Sequence, residues 1–283
     1  KAIYRKVSSV LDESQHNNSL KKTTKFIANC KKEFYNVHTK LIESVNDDYV
    51  SQIYDTCNNL FGSRIVVIYG ERGLGKRSCV SRVLSKIKDK SLHYIQPCYE
   101  NCYKYGSIIQ SLNLDTNNIF SQHDLDFESG IKRKIISKII ENPCIVYIEH
   151  FHEFDEESRK MLYDVSTSLI MRYAEKDVCL IFEFDSDISN NLVELFYEMI
   201  PSQTKLLEIG HLSHEEIRAC FFNYCDNIKI SDENLTYIIR SSLGNIMYLN
   251  VIVNYLQGAG YIYEIEGQLT CRSLPEGTLS DVL

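Results

Sequence analysis

Arg64 to Ser78 reads R-I-V-V-I-Y-G-E-R-G-L-G-K-R-S, an apolar strand signature that runs straight into a glycine-rich turn. Gly70, four residues, Gly75 and Lys76 satisfy the G-x-x-x-x-G-K part of the P-loop pattern. In that pattern backbone N–H groups wrap phosphates and the lysine meets their outer oxygens. A helix expected from about Lys76 to Lys88 would aim its N-terminal dipole at the same anion. The candidate nucleotide site is therefore Gly70, Glu71, Arg72, Gly73, Leu74, Gly75, Lys76, Arg77 and Ser78. One position departs from the pattern. Arg77 stands where a Ser or Thr hydroxyl normally meets Mg²⁺, and the nearest hydroxyl comes one residue later, on Ser78. Arginine can neutralise phosphate but cannot ligate a metal. The plainer alternative is a glycine-rich turn between strand and helix that holds no ligand.

Working outward, apolar runs and helical spacings alternate. Helices are expected at Leu20–Val45 and Tyr49–Leu60, before the P-loop strand. After the loop come a strand at Leu92–Ile95, a helix at Tyr103–Leu112, a turn-rich stretch at Asn113–His123 and a helix at Phe127–Ile140. The alternation argues for an α/β fold with a mostly parallel sheet covered on both faces.

Cys144 to Ser158, C-I-V-Y-I-E-H-F-H-E-F-D-E-E-S, is the second chemical segment. A buried strand, Ile145 to Ile148, ends in Glu149, at the sheet edge where open α/β folds bind ligands. In a P-loop NTPase this carboxylate holds the Mg²⁺ shell and a neighbouring acid orients water. Glu149 suits the first role, catalytically and as a metal ligand beside Ser78. The next residue is His150, so the second role has no clear occupant. A zinc pair of His150 and His152 is the weaker reading, because no third ligand is evident nearby. Asp155, Glu156 and Glu157 read as the acidic start of a helix over Ser158–Tyr173.

Further strands are expected at Val178–Phe184, ending in Asp185, and at Leu206–Ile209. Ser213 with Glu216 is a capping-box signature for a helix to about Tyr224, and helices near Asp232–Ser242 and Asn245–Gln257 follow, separated at Gly244. The change from α/β to all-helical near Ile209 marks a boundary, and ligands are commonly held where such parts meet. The expected division is 1–48, an N-terminal helical extension; 49–209, the α/β core; 210–258, a helical lid; and 259–283, a linker with the start of a winged helix.

The chain has 283 residues, 44% hydrophobic, with a net charge of −7. The acidic balance argues against a broad nucleic-acid surface. No run approaches the length of a membrane span and the start is not signal-like, so the expectation is an intracellular, cytoplasmic protein with no membrane partner. A first residue of Lys suggests a piece cut from something longer. The ten cysteines are scattered, and read as reduced core thiols; zinc at Cys98/Cys102 or Cys220/Cys225 is the weaker reading.

Taken together, the motifs resemble those of STAND-class P-loop ATPases of the AAA-like type, found beside nucleotidyl-cyclase, kinase and LuxR-type regulatory domains. There the first motif reads G-E-x-G-I-G-K-S-R, close to G-E-R-G-L-G-K-R-S here. The second reads E-D-L-H-W-A-D-E-x-S, which Glu149 to Ser158 follows at the first, fourth, seventh, eighth and last positions. Leu207 to Glu216 is similar to L-x-x-L-S-x-E-E, Gly244 to Leu249 to the lid motif G-N-P-x-Y-L, and Leu274 to Leu283 to the leucine-proline entry of a winged helix. The resemblance implies ATP or ADP as ligand with Mg²⁺, Gly244 and Asn245 on the adenine side, and a slow nucleotide-gated switch. It also implies other domains or subunits as partners and a nucleotide-dependent oligomer.

The departures lie on the chemistry: Arg77, His150, Asp185 at the place of a sensor arginine, and Ile246 at the place of a proline. They weaken the case for hydrolysis more than the case for binding. The chain also resembles origin-recognition AAA+ subunits, the fourth most of all, through I-V-Y-I-E-H-F-H-E-F; that reading implies DNA as partner and a nuclear location. A nucleotide-free interaction module is the third reading.

Overall fold

The computed structural model describes residues 45–58, 64–98, 104–115, 124–186, 196, 203–275 and 277–279. The expected helix at 20–45, nearly all of the 1–48 extension, Cys102 and the residues after Leu279 lie outside them.

Short apolar runs separated by helices have the crossover connections that parallel pairing requires. Five do so: β1 (Arg64–Gly70), β2 (Ser91–Ile95), β3 (Cys144–Ile148), β4 (Val178–Asp185) and β5 (Thr204–Glu208) form one parallel sheet in the order β2-β3-β4-β1-β5. β3 and β4 are buried along their whole length, as central strands covered on two faces must be. The alternation of side chains sorts them into two cores. Val66, Ile68, Ile145, Tyr147, Cys179 and Ile181 face α1 (Asp47–Asn58) and α2 (Lys76–Lys86), which contribute Ile53, Cys79, Val80 and Val83. Ile65, Val67, Val146, Ile148, Leu180 and Phe182 face α3 (Gly106–Ser111), α4 (Asp124–Ile140) and α5 (Glu156–Arg172).

The register positions the chemistry. Gly70 lies opposite Asp185 at the C-terminal edge of the sheet, with Ile148 opposite Phe182. The same alternation puts Glu149, Glu183 and Asp185 on the α2 face, because each is separated by an even step from Tyr147 or Ile181.

Beyond β5 the chain forms α6 (His214–Tyr224), α7 (Asp232–Ser241) and α8 (Ile246–Gly258), whose apolar faces share a third core with Leu212 and Ile228. Ser213 and Glu216 form the full capping box at α6, and Asp155 caps α5 by accepting from the Ser158 amide. The sequence reading assigns no element to 259–271. There β6 (Ile262–Ile265) and β7 (Gln268–Cys271) form a hairpin that buries Ile262 and Cys271 in the core shared by α6, α7 and α8. Its two-residue turn, Glu266-Gly267, has φ of 51° and 82°, the left-handed pair of a type I′ turn. The helix expected from Tyr103 begins at Gly106, after Tyr105 in a left-handed conformation. Among the described residues, no helix is long and apolar enough to cross a membrane.

Candidate nucleotide site: the glycine loop and the ends of β3 and β4

Gly70 leaves β1 at φ 149°, and a Cβ there would lie 2.3 Å from the Ile209 carbonyl oxygen. No other residue type fits the strand exit. Gly73, at φ 90°, is equally constrained, since its Cβ would fall 2.5 Å from Met247 Cβ and 2.6 Å from Asn245 Oδ1. The loop therefore passes directly beneath the N-terminus of α8. Asn245 caps that helix by accepting from the Met247 and Tyr248 amides, and its Nδ2 donates to the Arg72 carbonyl at 2.9 Å. The Met247 amide donates to the Gly73 carbonyl at 3.4 Å. In a trans peptide C=O and N–H point in opposite directions. With no cis bond among the described residues, the amides of Gly73 and Leu74 face away from the lid. His211 Nε2 lies 3.1 Å from Glu71 Oε2, and the Leu212 amide donates to the Gly244 carbonyl at 2.9 Å.

The helix after the loop differs from α5, α6 and α7. α5, α6 and α7 carry two acids each in their first turns, and a side-chain oxygen caps each helix. α2 begins at Gly75 with no side-chain cap and no acid in its first turn, which instead holds Lys76 and Arg77. Two cations at the positive end of a helix oppose its dipole. A first turn that no side chain caps, together with those cations, suits an anion.

Lys76 is 4% exposed. Its Nζ donates to the Gly70 carbonyl at 2.9 Å, the Glu71 carbonyl at 2.8 Å and Asp185 Oδ1 at 2.7 Å. An ammonium has three N–H donors, so all three are engaged. Arg77, half exposed, places Nη1 3.0 Å from Oε1 of the buried Glu149. The approach is an ion pair without hydrogen-bond alignment, and Glu149 Oε1 accepts no hydrogen bond. His150 Nε2 is 3.8 Å from the same oxygen.

A Mg²⁺ shell does not suit this donor set. A guanidinium lies over the acid that would ligate the ion, and position 77 has no hydroxyl. Ser78, one residue on, is turned about 100° round the helix from Arg77. Deeper in the face, Tyr147 OH donates to Glu183 Oε2. Burial holds the Glu183 carboxyl above its usual range, although the Tyr147 bond works against the shift.

The structure corrects one expectation. His150 and His152 do have a third potential ligand, Asp185, with ligand atoms of all three within 4.8 Å of one another. The tautomer nevertheless opposes a metal. His152 Nδ1 accepts from the Asp185 amide at 3.2 Å, so the neutral ring carries its proton on Nε2, the nitrogen that faces Asp185 Oδ2 at 3.7 Å. Zinc at Cys220/Cys225 is opposed too, since burial pushes these thiols up to about 11 and about 12; the Cys98/Cys102 pair lies partly outside the described residues.

The loop, Glu149, Gly244 and Asn245 thus converge on one edge of the sheet. Asp185, noted in the sequence only as standing at the place of a sensor arginine, and Glu183, given no role there, enter that edge as well. Their signal was two acids two residues apart in an otherwise apolar strand, C-L-I-F-E-F-D, which places both on one face.

No family model matches the chain, and no curated protein is significantly similar to it. Solved structures are similar in fold. The Aeropyrum pernix ORC2 protein, in ADPNP–ADP complexes, matches with a TM-score of 0.53 at 12% identity over 84% of this chain and 67% of its own. Cdc6p of Pyrobaculum aerophilum matches with a TM-score of 0.50 at 12% identity over 77% and 63%. The chain has the α/β fold of a P-loop NTPase. A STAND protein with a tetratricopeptide-repeat sensor from Pyrococcus horikoshii matches at 0.48 and 16% identity over 82% of this chain. The chain spans 31% of the length of that protein.

Proposed function

We propose that this AAA+ module binds ATP or ADP in the loop at residues 70–78 and acts as a nucleotide-dependent switch or scaffold, with weak or absent hydrolysis. The observation that carries the reading is the start of α2, an uncapped helix N-terminus with two cations behind a P-loop. That the ORC2 protein of the same fold is recorded with ADPNP and ADP supports nucleotide as the ligand. In this reading 49–209 is the nucleotide core, 210–258 the lid, with Gly244 and Asn245 towards the base, and 259–283 the start of a further unit. Signalling assemblies are the proposed setting, with other domains or subunits as partners. The likeness to ORC2 and Cdc6p supports the second reading, an origin-recognition-like subunit acting on DNA.

Thermal melting tests binding. A ligand at a hundred times its Kd stabilises by about 2.7 kcal/mol, which should raise Tm by roughly 5–10 °C for a chain of this size. An unchanged Tm in millimolar ATP and in millimolar ADP would sink the reading. Phosphate release should stay far below the ~1 s⁻¹ at the low end of enzyme turnover. Arg77→Ser with His150→Asp should raise it, by restoring a hydroxyl and an acid at the two altered positions.

A further inference from the structure

The two ion pairs at the sheet edge bear on which nucleotide the loop takes. Resting on the reading of the loop as a nucleotide site, we propose that it selects a nucleoside diphosphate without a divalent cation. Asp185 occupies the place of the outermost phosphate against Lys76, and Arg77 takes the place of the metal against Glu149.

A P-loop lysine reaches the outer oxygens of a triphosphate. Here two of its N–H groups are held by the Gly70 and Glu71 carbonyls, which belong to the loop, and the third by the Asp185 carboxylate at 2.7 Å. A third phosphate at that ammonium would have to displace a buried carboxylate or lie beside it as a like charge. Asp185 cannot simply swing out to solvent. Its register opposite Gly70 fixes its backbone, its own amide is bonded to His152, and its side chain is 7% exposed. A diphosphate reaches less far, and the loop amides and the start of α2 remain available to it.

The second pair removes the reason for a metal. A divalent cation in such sites bridges phosphate oxygens to a carboxylate. Arg77 already neutralises Glu149, and being 55% exposed it can bridge the same carboxylate to an incoming phosphate with its several donors. Lys76 and Arg77 are thus already paired with Asp185 and Glu149 before any ion enters.

Isothermal titration of the 283-residue chain with ADP and with ATP, each in excess EDTA and in excess Mg²⁺, tests the proposal. ADP should bind at least tenfold more tightly than ATP, and its Kd should change less than threefold between EDTA and Mg²⁺. Asp185→Asn keeps an acceptor for Lys76 and removes the charge; it should tighten ATP at least tenfold while moving ADP less than threefold. Arg77→Ser should weaken ADP in EDTA at least tenfold and make Mg²⁺ matter. Parent protein that prefers ATP, or that loses ADP in EDTA, overturns the proposal, whether or not either variant folds. Binding of neither nucleotide by the parent overturns the nucleotide-site reading itself, a result distinct from binding with the wrong preference.

Discussion

The glycine loop and the ends of β3 and β4 face one another across the same site, yet they have kept different things. On the loop side the features come from backbone: a strand exit only Gly70 can make, carbonyls turned towards Lys76 and the lid, and a helix start without a side-chain cap. On the strand side the features are side chains, with His150 and Asp185 where an acid and an arginine are expected, and they face Arg77, which stands at the start of α2 where a hydroxyl is expected. Backbone geometry tolerates substitution so long as the glycines and the register persist, whereas a metal shell is lost with one side chain. The contrast separates what the glycines and the register hold in place from what depends on single side chains.

The largest expected effect joins the two sides. Lys76→Met leaves Asp185 buried without its counter-ion, a loss of about 3–5 kcal/mol, measurable by urea unfolding. Lys76→Met with Asp185→Leu should recover most of it, since an apolar pair of similar volume is close to neutral in such a place. If the single variant unfolds at the parent midpoint, the two sides are not coupled through this pair.

A smaller effect is expected within the loop. Gly73→Ala places a methyl into Met247 and Asn245 at a φ of 90°, and should cost about 1–3 kcal/mol. Amide exchange over 245–249 should quicken, because the lid is what must give. Unchanged exchange would mean that loop and lid are not in register as described.

The smallest effect belongs to the strand side alone. The Glu183 carboxyl is held above its usual value of 4.5 by burial, so the folded chain binds its proton more tightly than the unfolded one does. Its contribution to stability is complete below pH 4.5 and is lost as pH rises through the raised value. Glu183→Gln should therefore match the parent in Tm near pH 4 and exceed it at pH 8. A difference that is constant across that range would assign Glu183 a role other than titration.

Much of the scaffold was legible because each element carries a local signal. The four-residue apolar run before Glu149, the Ser213–Glu216 box and the acidic approach to α5 each need only a few neighbours to be read. The hairpin at 262–271 was missed because its turn is Glu-Gly rather than the more usual Asn-Gly or Asp-Gly. The site was legible in its loop and not in its ion pairs. That Lys76 meets Asp185 depends on β1 pairing with β4 in one register out of several, and that Arg77 meets Glu149 depends on the angle at which α2 leaves the loop. No pattern of spacing encodes either.

The span of those contacts along the chain sets an order of assembly on the ribosome. The loop is synthesised early, but the carboxylate that neutralises Lys76 follows 109 residues later. The side chain that fastens the Arg72 carbonyl follows 173 residues later. A nascent chain that has not yet released β4 carries an ammonium with no counter-ion to be buried beside. The glycine loop, first of these parts to emerge, is the last to be completed.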